Sequence, residues 1–520
     1  MKTRKIDFTD THAFSPSFLD YINQKDTLKE FYSRFPSVAS FKDQINEKSN
    51  FPQEKRLTLA KELNDQYSNV TITENVKENI ASLKDSKTFT ITTGHQLNIF
   101  TGPLYFIYKI ITVINACKEL KAAYPAYHFV PIYWMASEDH DYEEIKYFRL
   151  YGKKYVWNTE QQGAVGRFHT KELKDLSNEV PGEISLFKEA YSKSKNLSQS
   201  VVHYVNALFG SEGLIVIDAD SRELKKSLAS IIQDDLFNHS AKAIVDSTTQ
   251  ELQTLGYHTQ VNAREINFFY LIDGLRSRLE KTTDGFQVVD SALKFSNAEV
   301  KKMVLEEPEK FSPNVVLRPL YQEVILPNLA YCGGPAELVY WLQLKGVFEK
   351  FETPFPILLP RSFAMVMDEP TMKKFEKTKL EIKDLFEEKN YLFNHWIAQN
   401  SNHQLSLGNE LETLQHILNE VKKRATKIDA TLSKFVGAET QRAVNGLEKI
   451  EKKMLRAEKR LHADKLRQIE AVKDSLFPNG SLQERTDNFL NFYQSDPSFI
   501  RKAIDHLAPF DFKFNVLIYD

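Results

Sequence analysis

Phe89-Thr90-Ile91-Thr92-Thr93-Gly94 is a short β-rich run ending on a glycine, and it is followed by Gly102-Pro103 and an apolar stretch from Leu104 to Cys117. The next apolar run, Phe129-Val130-Pro131-Ile132-Tyr133-Trp134-Met135, closes on the cluster Glu138-Asp139-His140-Asp141. Strand, glycine turn, helix and strand in that order begin a βαβ unit. Strands joined by one helix pair in parallel through a right-handed crossover, so both end at the same sheet edge. The predicted fold class is therefore α/β, with a parallel-sheet core of the nucleotide-binding type.

Further strands are expected at Leu214-Ile215-Val216-Ile217-Asp218 and at Pro356-Ile357-Leu358-Leu359, the latter closing on Pro360-Arg361. Phe268 to Ile272 and Gly285 to Val289 flank the turn residues Asp273-Gly274 and Asp284-Gly285, which predicts an antiparallel hairpin or meander inserted in the core. Inserted, mostly peripheral segments are placed near 150–210 and 240–312. Residues 1–85 form a polar, helical first part of the core, and 86–400 its body.

The region after 370 is helical. Leu411, Leu414, Leu418, Val421, Ala425, Ile428, Leu432 and Phe435 recur at spacings of three and four, a heptad seam. Leu447, Ile450, Met454, Ala457 and Leu461 restart it after Gly437 and Gly446. This predicts an arm over 401–478, either an antiparallel helical hairpin or one kinked helix. Residues 479–520 are expected to return to the core. The seam has more apolar positions than a lone helix leaves in water, since burying each large aliphatic side chain is worth roughly 1.5–3 kcal/mol. A homodimer through residues 405–475 follows as an expectation.

Lys and Arg number 68 against 70 Asp and Glu, for a net charge of -2. No basic field argues for nucleic acid. Cys117 and Cys332 cannot build a disulfide framework or a cysteine-rich zinc site, which suits a reducing, cytoplasmic location. The N-terminus has charge without an apolar run behind it, so no signal peptide is expected, and the Leu104–Cys117 stretch is too short for a membrane span.

Candidate chemistry lies at the strand ends. Gly94-His95-Gln96, with Gly102 before the apolar helix, offers close backbone approach, free N–H groups and side-chain donors to an anion. Glu138, Asp139, His140 and Asp141 are candidates for acid–base work or for holding an ammonium, because crowded carboxylates raise one another's proton affinity. No metal is expected, since His140 has no partner histidine at ligand spacing. Asn314, Arg318 and Gln322 recur every four residues and would share a helix face. Arg318 suits a carboxylate through its planar fork. Gly333-Gly334-Pro335 is a tight turn leading into a helix over Ala336 to Phe348, with Glu337 in its first turn. Cys332 reads as a small buried residue before it reads as a nucleophile. Arg361, Ser362 and Phe363 form a last strand-end site with a basic side chain.

Taken together, Thr93-Gly94-His95-Gln96, Thr101-Gly102-Pro103-Leu104-Tyr105, Trp134 to Asp141, Asn314 to Gln322, and Gly333-Gly334-Pro335 with Glu337 resemble the cysteine-adding enzymes of bacillithiol synthesis, the BshC family. The resemblance runs over essentially the whole chain. It implies a Rossmann-like core with inserted connecting segments and a coiled coil that mediates dimerisation. It further implies a carbon–nitrogen ligase that adds L-cysteine to the amine of glucosaminyl malate. Some members carry Gly-Gln-Gln where this chain has Gly94-His95-Gln96, which argues against His95 as an indispensable catalyst. A free carboxylate does not acylate an amine unaided, so ATP or another adenine nucleotide, with or without Mg²⁺, is the expected activating cosubstrate. Arg361, Ser362 and Phe363 are the expected nucleotide contacts. Two other classes stay open: a nucleotidyltransferase or sugar-handling enzyme on the same core, and a non-catalytic coiled-coil scaffold.

Overall fold

The computed structural model describes residues 1–519. Its central five-stranded sheet contains β1 (Thr88–His95), β2 (His128–Met135), β3 (Ile215–Asp218), β4 (Asn328–Gly333) and β5 (Ile357–Pro360). The order is β5-β4-β1-β2-β3, and every neighbouring pair is parallel. The order reverses between β1 and β4, and ligands of such sheets bind outside the carboxyl ends at that point.

Strands covered on both faces need side chains that tolerate complete burial. β1 meets this with threonines whose hydroxyls are satisfied inside the sheet. Thr90 and Thr92 donate to Asn328 Oδ1 at 3.1 and 2.8 Å, and Thr93 donates to the Cys332 carbonyl at 2.8 Å. Asn328 in turn donates to Glu323 Oε1 at 2.6 Å. This polar lock explains why β4 escaped the sequence reading. A segment that starts with asparagine and ends on Gly333-Gly334-Pro335 reads as a turn, yet it is an inner strand of the sheet.

Helix α1 (Tyr105–Ala123) links β1 to β2 and is buried along most of its length, as its apolar sequence predicts. Helix α2 (Arg318–Ile325) starts with Pro319 in its first turn, where the missing N–H is not needed. Asn314 therefore lies outside the helix, and the expected shared face holds only for Arg318 and Gln322. The helix expected from Ala336 to Phe348 is two pieces, α3 (Pro335–Trp341) and Lys345–Lys350. Gln343 sits at the break, where its amide accepts from Val261 N at 3.1 Å and donates to Val261 O at 2.8 Å.

The inserted segments are structural partners of the sheet edge rather than peripheral additions. The later one holds a five-stranded antiparallel sheet built on Phe268–Ile272 and Leu275–Lys281, with Asp273-Gly274 at the turn between them. Of the earlier one, Gly166 packs so closely on Ser137 that an added Cβ would stand 2.6 Å from Ser137 Cβ and 2.7 Å from its carbonyl oxygen.

The chain forms two units. The first comprises Met1–Thr9, Ala13–Val366 and Ser481–Leu517. The first 85 residues include a strand, Lys2–Ile6, besides the expected helices. The C-terminal return is anchored in this unit by Glu484, whose carboxylate takes Arg361 at 3.0 and 2.6 Å and Ala364 N at 3.1 Å.

The second unit is built on Met367–Gly480, so it begins before residue 401. The helices Glu369–Glu376 and Lys389–Asn400 belong to it. Its long hairpin comprises α4 (Gly408–Ile428) and α5 (Leu432–Leu461). The Leu407 amide donates to Glu451 Oε1 at 3.0 Å, so the second helix runs back along the first. The break falls at 429–431, where Asp429 Oδ1 accepts the Thr431 amide and hydroxyl at 2.8 and 2.7 Å, and not between Gly437 and Gly446. Both glycines lie within the continuous helix α5, since an isolated glycine weakens a helix by only about 1 kcal/mol. Leu432 and Phe435 thus belong to the second helix, not to the end of the first seam. No helix among the described residues is long and apolar enough to cross a membrane.

Candidate functional site

A cavity of about 480 Å³ opens at the carboxyl ends of β1, β2 and β4, the edge the sheet order singles out. Its floor is the turn Gly94-His95-Gln96. The Gly94 carbonyl accepts Lys109 Nζ at 2.8 Å, and the His95 and Gln96 carbonyls accept the Tyr133 hydroxyl at 3.3 Å each. Gly94 has a packing reason to lack a side chain: a Cβ there would lie 3.3 Å from the Tyr331 hydroxyl and 3.5 Å from Arg318 Nη1.

The acidic wall follows β2. Asp139 accepts Gln96 Nε2 at 2.6 Å and the His140 amide at 2.7 Å, with Arg276 Nη1 at 3.5 Å. Burial works against its charge, but the His140 side chain, the Arg276 charge and these hydrogen bonds hold its carboxyl well below the usual range. Glu138 behaves in the opposite sense. Burial pushes it up to about 7 against the pull of its ion-pair partner Lys225. Two adjacent carboxyls with opposite shifts can divide acid–base roles at neutral pH. Glu337 completes the wall from the first turn of α3, ion-paired to Lys109 at 2.5 Å and accepting the Tyr331 hydroxyl at 2.9 Å. Burial opposes its charge, and Lys109 and Tyr331 hold it below the usual range.

Arg318 faces these acids from the start of α2. Its Nη1 donates to Gln322 Oε1 at 3.3 Å, and its guanidinium lies 5.9 Å from the Trp134 ring centre and 5.5 Å from that of Tyr331. Its Nη2 is buried without a hydrogen-bond partner among the described residues. Gln96 Oε1 and His95 Nε2 are buried and unpartnered in the same cavity lining. Burial, with Lys109 and Arg361 nearby, depresses the His95 pKa, so its ring is neutral. Unsatisfied buried polar atoms cost roughly 1–3 kcal/mol each, and clustered around a cavity they mark where a polar ligand belongs.

The expected site residues separate into groups. Gly94, His95, Gln96, Glu138, Asp139, Asn314, Arg318 and Glu337 line one cavity. Asn314 also shapes α2: its Oδ1 accepts Val316 N at 2.9 Å and its carbonyl accepts Arg318 N at 2.8 Å. Gln322 lies behind Arg318 and donates to Glu323 at 2.9 Å. Gly102 is buried in a turn, its carbonyl taking Asn488 Nδ2 at 2.6 Å. Gly333 and Gly334 carry the chain from β4 into α3. His140 and Asp141 are exposed, and His140 Nδ1 meets Arg276 Nη1 at 2.7 Å.

Arg361, Ser362 and Phe363 lie inside the fold rather than on the cavity. The Arg361 guanidinium is spent on Glu484 and stacks 4.1 Å from the Phe363 ring centre, while Ser362 N donates to Thr112 Oγ1 at 2.8 Å. These contacts leave no fork free for phosphate. Cys332 is buried in β4, and burial pushes its thiol up to about 12, which leaves it unreactive.

Arg276, Lys109, Tyr331 and Lys225 were missed in the sequence. Lys109 had a signal, a lone cation in an apolar helix. Arg276 had none: it sits among charged residues on Leu275–Lys281 and is brought to the site by the inserted sheet, with its guanidinium 4.0 Å from the Phe269 ring centre.

The sheet order defines a Rossmann-like protein, with a polar cavity at the ends of β1, β2 and β4. Residues 1–362 match the model of the bacillithiol biosynthesis BshC N-terminal Rossmann-like domain, and residues 364–519 that of the BshC C-terminal coiled-coil domain. The chain belongs to the bacillithiol biosynthesis BshC family. A relative from Flavobacterium psychrophilum is 42% identical over 99% of both chains. One from Flavobacterium johnsoniae is 40% identical over 99% of this chain and 100% of its own. One from Christiangramia forsetii is 39% identical over 100% of this chain and 99% of its own. All three bear the name "Putative cysteine ligase BshC".

Proposed function

We propose that this protein is a cysteine ligase of bacillithiol synthesis, joining the carboxyl of L-cysteine to the amine of glucosaminyl malate. The observation that carries the reading is the pairing, in one cavity, of an arginine nitrogen without a partner with a wall of carboxylates. Both proposed substrates carry carboxylate and amine together, and such a cavity receives both.

When bound, ATP with Mg²⁺ would give the cysteine carboxyl a phosphate-bearing leaving group, which would depart as the C–N bond forms and the amine gives up its proton. The chain's own residues bind and move protons. Arg318 takes a malyl carboxylate through its guanidinium, whose buried Nη2 has no hydrogen-bond partner among the described residues. Asp139, ionised and fixed by Gln96, holds the cysteine ammonium. Glu138 accepts the proton that the attacking amine must lose, a task that suits a carboxyl poised near 7. Gln96 Oε1 accepts from a substrate hydroxyl or ammonium. The protein acts in the cytoplasm, where its two buried free cysteines stay reduced.

We also propose a homodimer formed through the helical hairpin. Ile428, Phe435 and Ile450 are 83%, 62% and 51% exposed, a set of large apolar side chains on one hairpin that a second copy would cover.

Incubation of the purified protein with ATP, Mg²⁺, cysteine and glucosaminyl malate should yield the ligated thiol by mass spectrometry. Omission of ATP should abolish it. No ligated product in the complete mixture overturns the proposal.

A further inference from the structure

Behind Glu138 stands a row of charges of alternating sign. Lys225 Nζ is ion-paired to Glu138 and lies 3.6 Å from Asp220 Oδ1. Asp220 is gripped by Arg167, with Nε at 2.8 Å from Oδ2 and Nη2 at 3.1 Å from Oδ1. The remaining Arg167 nitrogen, Nη1, reaches Asp273 Oδ1 at 2.8 Å, in the turn of the inserted hairpin. Glu138 lines the cavity, whereas Lys225, Asp220, Arg167 and Asp273 do not.

Lys225 ends a short helix, Arg222–Lys225, and its side chain is completely buried. A buried ammonium is costly unless it is paired and hydrogen-bonded. This one has Glu138, Asp220 and the Glu309 carbonyl at 3.1 Å. Of these three groups only the Glu138 carboxylate faces the cavity.

We infer that Lys225 is a positioning residue of the proposed reaction, holding the Glu138 carboxylate at the cavity wall as the proton acceptor. The inference rests on the reading of the cavity as the place where an amine loses a proton. Other groups facing Glu138 set the balance. Arg276 favours its charge and Asp220 opposes it. The Tyr321 hydroxyl is committed to the Ala219 carbonyl at 2.8 Å. Burial is the largest influence and already lifts Glu138 to about 7. Without Lys225 the carboxyl would be protonated through the neutral range and could not serve as a base.

The test follows the Glu138 carboxyl directly, by infrared difference spectroscopy of the full-length protein against pH, with Glu138→Gln assigning the band. Lys225→Met should move the midpoint up by about one to three pH units, the size of effect an adjacent opposite charge exerts. Lys225→Arg should restore it. Asp220→Asn should move it down, because a like charge is removed, and this variant keeps the test open if Lys225→Met fails to fold. The acid limb of kcat/KM should move with the band. An unmoved midpoint in Lys225→Met, or an upward shift in Asp220→Asn, overturns the inference. A kcat/KM that falls equally at every pH also overturns it, since that is the signature of a merely structural lysine. If the wild-type protein makes no ligated thiol, the proposed function fails while the spectroscopic result still decides the Lys225–Glu138 coupling.

Discussion

Gln96 Nε2 donates to Asp139 Oδ2 at 2.6 Å, which ties the turn after β1 to the turn after β2 at the cavity mouth. The bond aims a carboxylate that also receives the His140 amide at 2.7 Å. Asp139→Ala should abolish ligated thiol while leaving the circular dichroism spectrum near wild type, with the melting temperature lowered by loss of the stability its ionised carboxylate contributes. Gln96→Ala should keep the acid but lose its aim, lowering kcat/KM about tenfold or more, the value of a hydrogen bond to a charged group. Full activity in Asp139→Ala would remove it from the mechanism.

The pH dependence should distinguish the two acids. Asp139 has a depressed pKa, so the stability it contributes is present above its ordinary unfolded value and is lost only as pH falls through the folded one. It therefore stays ionised across the working range. Glu138, raised to about 7, must lose its proton to act as a base, so kcat/KM should climb as pH rises through about 7. A rate profile flat from pH 6 to 8, an interval chosen about the reference midpoint of a neutral-range group, would take Glu138 out of that role.

Arg318 offers a test of recognition rather than chemistry. Arg318→Lys preserves charge but loses the planar fork. Its KM for glucosaminyl malate should rise about 10- to 150-fold, which is the worth of a charged hydrogen bond. Desmalyl glucosamine, which lacks the carboxylates, should react equally poorly with both proteins. A KM change confined to cysteine would transfer Arg318 to the amino-acid end of the cavity.

Arg361 should matter for stability. It and Glu484 form a buried pair at 2.6 Å, and removing one partner of such a pair costs roughly 3–5 kcal/mol. Arg361→Met should show that loss in urea unfolding. An unchanged midpoint, with ATP affinity alone reduced, would return Arg361 to a nucleotide role.

The hairpin predicts its own assembly. Ile428→Asp with Ile450→Asp replaces two exposed apolar side chains by charge. Light scattering should then report monomers, with the Rossmann-like unit still folded. A double variant that stays dimeric would place the dimer contact elsewhere.

The parallel core and the helical arm were legible in the sequence because each rests on a local period. Fully buried strands read as apolar runs, and seam positions recur every three or four residues. The strand-end location of Gly94, Gln96, Glu138 and Asp139 followed from connectivity, since strands joined by single helices end on one edge. The same logic could not find β4, whose asparagine and glycines look like a turn until Thr90 and Thr92 of a strand more than 200 residues away satisfy Asn328. It also misassigned Arg361, because a cation after a strand looks free until Glu484 arrives from the far end of the chain. Local periodicity and connectivity thus determined the class of fold and the sheet edge where polar side chains gather, and the quoted motifs carried the family resemblance. Tertiary structure alone decided which charges are spent on partners and which remain open. Lys225, Arg276 and Arg361 are all ordinary cations in sequence. Their roles depend on burial and on carboxylates or carbonyls brought close by distant segments, and electrostatic worth is set by that local environment rather than by residue type.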